Sequence, residues 1–246
     1  METTGPTVAD PPVRTHRWGF GAFLFVFAVF VLSAVVIGAL ITAAASPDAP
    51  SSTTIALVGT MVPTVLATVA ALLITRLRGN GPAIDLRWSF SRDDLRAGLK
   101  FGALGLVCTT LAAVVWTRVV GEENASSAVG HLVENGRMPI ATAVALFLFV
   151  WLLGPICEEI IYRGLLWGAL ERLNWGRWAV FTLTTVIFAV SHLEPLRTSL
   201  LLVIGIPIGL ARLFTGRLGA SIVTHQVNNF LPALAVLLVA VGAMPA

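Results

Sequence analysis

Six polar residues stand inside or at the ends of long apolar runs: Glu158, Glu159, Arg163, His192, His225 and Asn229. Ionisable side chains in such runs are costly and mark functional sites by default. They fall in three short segments. The first reads Gly154-Pro155-Ile156-Cys157-Glu158-Glu159-Ile160-Ile161-Tyr162-Arg163-Gly164, the second Phe188-Ala189-Val190-Ser191-His192, and the third His225-Gln226-Val227-Asn228-Asn229. Glu159 and Arg163 are four residues apart, so on a helix they share a face and can pair. Glu158 then points about 100° away, which frees it to face something else. His225 and Asn229 are also four apart and project from one helix face.

These side chains suit hydrolysis. A carboxylate in a poorly solvated cavity can act as a general base near neutral pH. Glu158 with His192 could bind and deprotonate a water, while His225 and Asn229 donate hydrogen bonds to a carbonyl oxyanion. The same Glu158, His192 and His225 could instead hold a zinc ion whose bound water is the nucleophile. Either route cleaves a peptide bond. Simpler readings stand beside these. Glu159–Arg163 is first of all a structural ion pair, and Phe188 is read as packing that shapes the surroundings of His192. His192 alone would pass for an interfacial histidine beside Glu194 and Pro195, and His225 with Asn229 for an interhelical hydrogen-bonding pair. His16 and His131 lie in polar segments and are assigned nothing.

The elements that carry these groups are membrane spans. The chain has 246 residues, 57% hydrophobic and only 12% charged, about half the charge of a soluble domain. Its apolar runs are too long and too numerous for one water-soluble core. Its basic residues sit between those runs and form no nucleic-acid footprint. Two cysteines, Cys108 and Cys157, both in apolar runs, indicate neither a disulfide framework nor a Cys-based zinc knuckle. The expected architecture is all-α, a polytopic transmembrane helical bundle of about eight spans. The spans fall near 18–45, 54–75, 97–120, 139–170, 177–193 and 196–212, with two short ones in 218–244 broken near Asn228, Asn229 and Pro232. The Trp18–Ile41 run is 24 residues, too long for a signal-peptide core. Residues 1–17 read as a disordered cytoplasmic tail, 18–120 as accessory helices and 139–244 as the catalytic core. With the N-terminus cytoplasmic, 12 of the 16 Lys and Arg residues fall in inner segments, as the positive-inside rule requires. Counted from cytoplasmic anchors at ~1.5 Å per residue, Glu158 and His192 lie ~21–22 Å deep and His225 ~12 Å, with Asn229 ~6 Å deeper. Helix tilt of ~20° makes those depths compatible with one buried site.

Taken in order, Glu158-Glu159-x-x-x-Arg163, Phe188-x-x-x-His192 and His225-x-x-x-Asn229 resemble the three-motif signature of the CAAX protease and bacteriocin-processing family. This group, also called CPBP or Abi intramembrane proteases, includes the type II CAAX prenyl endopeptidase. The resemblance covers roughly residues 139–232. It implies an intramembrane endopeptidase acting on a membrane-bound peptide or protein substrate. Glu158 would be the general base or metal-site carboxylate and His192 its partner. His225 and Asn229 would bind the oxyanion, or His225 a metal, and Glu159 and Arg163 would hold the helix in place. Zinc is the cofactor to test for, the lipid bilayer is the surrounding partner, and no nucleic acid is expected. Other membrane-protease signatures are absent: there is no His-Glu-x-x-His, no Gly-x-Ser-Gly and no pair of intramembrane Asp residues. The competing reading is a non-enzymatic membrane protein, a small transporter or an immunity or accessory protein, using the same polar cluster.

Overall fold

The structure is a computed structural model that describes residues 17–44, 53–121, 127, 129–130, 133 and 137–244. The tail expected to be disordered and the loop holding His131 therefore lie almost wholly outside the described residues. Among the described residues every regular element is helical. In chain order they are α1 (Phe20–Ala44), α2 (Thr53–Arg78), the short α3 (Pro82–Asp85), α4 (Arg92–Val120) and α5 (Ile140–Glu171). Then follow α6 (Arg177–Val190), α7 (Thr198–Thr215) and α8 (Leu218–Ala240). Six of these, α1, α2, α4, α5, α7 and α8, are long and apolar enough to cross a membrane. The molecule is thus a multi-pass integral membrane protein, close to the span count expected.

The count differs at the C-terminus. Residues 218–240 form one continuous helix that runs through Asn228, Asn229 and Pro232. Pro232 leaves one carbonyl of the preceding turn without its donor. Helices in lipid tolerate that when neighbours or local adjustments re-satisfy the backbone. Pro63 in α2 and Pro207 in α7 are carried in the same way.

Apolar side chains lie on the outside of the bundle as well as in its core. Leu32, Val35 and Leu40 of α1 and Leu111, Val115 and Val119 of α4 are all more than 60% exposed, as lipid-facing residues should be. Among its apolar side chains the enclosed interior also holds Glu159, Arg163, Arg212, Ser221, Thr224, His225 and Asn228.

The segments that alternation places at one end of the bundle do meet there. Arg17 N donates to the Arg78 carbonyl (2.8 Å), and Leu218 N to that of Arg87 (3.1 Å). Arg87 pairs with Glu171 at 2.9 Å, and the Arg172 guanidinium lies 3.5 Å above the Trp18 ring. Burial pulls the Arg172 guanidinium below its ordinary range, and the Asp85 carboxylate pulls it partly back. Asp94 accepts from Ser91 N at 2.9 Å in a capping box that starts α4, and its other oxygen accepts from Arg217 Nε at 2.7 Å. The start of α8 is therefore locked to the start of α4.

Those two helices then run in close contact. A Cβ at Gly102 would sit 2.6 Å from Val227 Cβ, and one at Gly105 2.6 Å from the Asn228 amide nitrogen. Only glycine permits that separation, and small residues at such seams are how helices approach in lipid. The seam sets the position of α8 and so of His225.

Candidate active site

Helix α5 carries both glutamates, and it is not a regular α-helix. It widens into π-helical turns at Phe149–Leu153 and again at Ile160–Leu166. The first lies just ahead of Pro155, which has no N–H to donate to the preceding turn. Carbonyls in this stretch instead accept from α8. Asn229 Nδ2 donates to Val150 at 3.1 Å and Gln226 Nε2 to Leu152 at 3.4 Å. The second widened stretch contains Arg163, whose carbonyl accepts from Arg212 Nε at 3.0 Å. Single π-turns inside α-helices occur frequently at functional sites.

At the centre lies a fully enclosed pair. Arg163 Nη1 donates to Glu159 Oε1 at 3.0 Å, and neither side chain reaches solvent. Arg163 Nη2 donates to the Gly205 carbonyl at 3.2 Å, and the guanidinium covers the Phe188 ring at 4.5 Å. Two charges removed from water need such partners to remain charged.

His225 lies between the two glutamates. Its Nδ1 is 3.1 Å from Glu159 Oε1, and its Nε2 is 3.7 Å from Glu158 Oε2. The imidazole is 3% exposed, whereas the Glu158 side chain keeps 28%. Glu158 is thus the more accessible of the two carboxylates. Spacing alone assigned Glu159 to Arg163. The structure adds that the same oxygen also holds His225, so the supporting pair and the candidate chemical group form one network.

His192 arrives differently. With 14 residues, α6 extends only ~21 Å, less than the ~30 Å hydrocarbon layer. It ends at Val190, and His192 follows in the turn beyond it. The histidine therefore belongs to a helix end within the bundle's depth. Its Nδ1 donates to the Phe188 carbonyl at 2.7 Å, which leaves Nε2 with its lone pair. Phe188, 1% exposed, connects the site: its ring meets His192 edge-on at 4.7 Å, His225 at 5.7 Å and Tyr162 at 5.4 Å.

The structure thus brings Glu158, Glu159, Arg163, Phe188 and His225 into direct contact, with His192 joined through Phe188. Asn229 is on the same helix as His225, one turn on, but its hydrogen bond goes to Val150. Among the described residues no three His, Cys, Asp or Glu side chains are gathered closely enough to hold a metal ion. The set Glu158, His192 and His225 is therefore not assembled as a metal centre in this conformation. Sequence reasoning placed Arg212 at a span end. It is 1% exposed inside α7 and donates to the carbonyls of Arg163, Leu86 and Gly216. Its signal was an arginine three residues inside the helix end. The hydroxyls of Tyr162 and Ser191 also meet, at 2.5 Å, although no spacing in the sequence links them. An apolar groove of about 630 Å³ flanks the site between α4, α5 and α8, lined by Leu106, Trp151, Val227 and Phe230, with Gln226 as its polar edge.

A multi-pass helical bundle with an enclosed carboxylate, imidazole and guanidinium centre is the class that fold and site define. Residues 140–231 match the family of type II CAAX prenyl endopeptidase Rce1-like proteins, which spans all three polar segments. The chain is also similar to the "Membrane-embedded CAAX protease MroQ" of Staphylococcus aureus (strain USA300), at 26% identity over 133 residues. That alignment covers 52% of this chain and 52% of the relative, so the chain matches about half of the curated protein's length. No solved structure matches. The similarity to CAAX proteases thus lies in residues 140–231, the part of the chain that carries the three polar segments.

Proposed function

We propose that this protein is an intramembrane endopeptidase that hydrolyses a membrane-associated peptide. The observation that carries the reading is the placement of His225, with Nδ1 on the enclosed Glu159 and Nε2 3.7 Å from the accessible Glu158.

In this reading Glu158 takes a proton from the attacking water, with His192 Nε2 as a second acceptor. Phe188 and its carbonyl hold His192 in the tautomer that role needs. With a proton on each ring nitrogen, His225 would donate Nδ1–H to Glu159 and present Nε2–H to the substrate. Its Nε2–H then donates to the carbonyl oxygen as negative charge develops. Asn229 keeps a second amide N–H beyond the one given to Val150 and supports the same oxygen. Glu159 and Arg163 orient His225. The apolar groove receives the membrane-embedded part of the substrate.

Zinc is the other way to activate the water. Glu158, His192 and His225 would hold it, and both imidazoles leave Nε2 facing away from their internal partners, as metal-binding histidines do. Such an ion would supply a more acidic bound water, and holding it would require the three side chains to close on one point. With the N-terminus cytoplasmic, the end where Arg17, Arg78, Arg87 and Arg217 gather faces the cytoplasm.

The test is cleavage of membrane-anchored peptides by purified protein, with Glu158→Ala and His192→Ala as controls. Cleavage by either variant at the parent rate would sink the assignment. Metal content and chelator inhibition decide between the two routes.

A further inference from the structure

We propose that Tyr162 and Ser191 are positioning residues that present His192 to Glu158. Tyr162 is the only tyrosine in the chain, and it stands four residues beyond Glu158 on α5. Its ring is 8% exposed and packs edge-on against Phe188 at 5.4 Å. Its hydroxyl lies 2.5 Å from Ser191 Oγ, a short contact between residues 29 apart in sequence.

The direction of this contact follows from the next one. Ser191 Oγ donates to the Phe188 carbonyl at 3.0 Å, so its lone pairs remain for the Tyr162 O–H. The Phe188 carbonyl also accepts His192 Nδ1–H at 2.7 Å. A continuous chain therefore runs from the Tyr162 hydroxyl through Ser191 to the carbonyl that fixes the His192 tautomer. Chains of this kind polarise and stiffen one another in low-dielectric surroundings.

The backbone explains why His192 needs it. Ser191 ends α6, and Leu193, immediately after the histidine, takes the left-handed conformation at φ 55°. A leucine is disfavoured there, because its Cβ crowds the following carbonyl oxygen. The side chain of Leu193 is 71% exposed and offers no buried packing in return. At the end of α6, beside that turn, the Tyr162–Ser191 contact is a hydrogen bond that crosses between helices. It ties the turn to the helix that bears Glu158.

The kinetic arm of the test rests on the hydrolase reading; the spectroscopic arm does not. Full-length protein labelled with ¹⁵N-histidine is reconstituted in nanodiscs, and the His192 ring signals are assigned by their loss in His192→Ala. The parent should show one ring tautomer, with the proton on Nδ1. Tyr162→Phe and Ser191→Ala should shift the His192 signals toward a mixture of tautomers, while Ser191→Thr, which keeps a hydroxyl, should restore the parent spectrum. In cleavage assays the first two should lower kcat about 10-fold to 100-fold with little change in KM, the signature of a misplaced group. Parent-like His192 signals in both Tyr162→Phe and Ser191→Ala would overturn the proposal. So would failure of Ser191→Thr to restore them. Should Tyr162→Phe fail to fold, the two Ser191 variants decide. Should the parent cleave nothing, the hydrolase reading falls, and the ring signals still decide the positioning role.

Discussion

Arg163→Met is the sharpest test of the enclosed centre. Methionine keeps much of the side-chain volume and removes the charge. Glu159, which has no exposure, would then lose the guanidinium at 3.0 Å, and the Gly205 carbonyl would lose its donor at 3.2 Å. Breaking one partner from a buried pair costs about 3–5 kcal/mol because the remaining charge is uncompensated. For a chain of this size each kcal/mol moves the unfolding midpoint by about 2–4 °C, so a fall of about 6–20 °C is expected. Thermal unfolding of the purified protein in nanodiscs reads it. Glu159→Gln with Arg163→Met removes both charges and should recover at least half of the loss. The double variant should nonetheless remain inactive, because His225 Nδ1 no longer faces a carboxylate. Stability and activity would then separate. A midpoint within ~2 °C of the parent for Arg163→Met, or a double variant no better than the single one, would refute the argument that this pair is charged and mutually dependent.

Glu158→Gln should behave in the opposite way. The side chain keeps 28% exposure, so the midpoint should hold, while cleavage should fall about 10²–10⁴-fold if it is the general base. Phe188→Ala should lower both, by about 3–5 kcal/mol in stability, because one enclosed ring supports Arg163, Tyr162, His192 and His225. Gly102→Val should separate α4 from α8 and cost about 1–3 kcal/mol, read as a lower midpoint, since even a Cβ would lie 2.6 Å from Val227 Cβ. Gly38→Ala, where nothing lies within 4 Å, is its neutral control.

Much of this protein is legible from local pattern. Apolar runs longer than a bilayer is thick specify spans without reference to any neighbour. The four-residue offset of Glu159 and Arg163 specifies their pairing because helical geometry is local. The three polar segments, read in order, pointed to the family that residues 140–231 match. Other features depended on which helices pack together. Pro232 and the adjacent asparagines read as a break, yet α8 continues through them, because surrounding helices stabilise what an isolated chain would not. The depth count placed His225 ~9 Å shallower than Glu158, although the two meet at 3.7 Å. That count assumed anchors in one plane and uniform α-helical rise, and α5 has two π-helical stretches. Periodicity also could not show that Glu159 holds Arg163 and His225 with one oxygen, or that Tyr162 reaches Ser191 across 29 residues. Residue types and spacing determined which groups are available. Only the packing of α4 against α8 and of α5 against α6 decided which of them touch, because contact between distant segments is set by helix approach and tilt, and no local repeat encodes either.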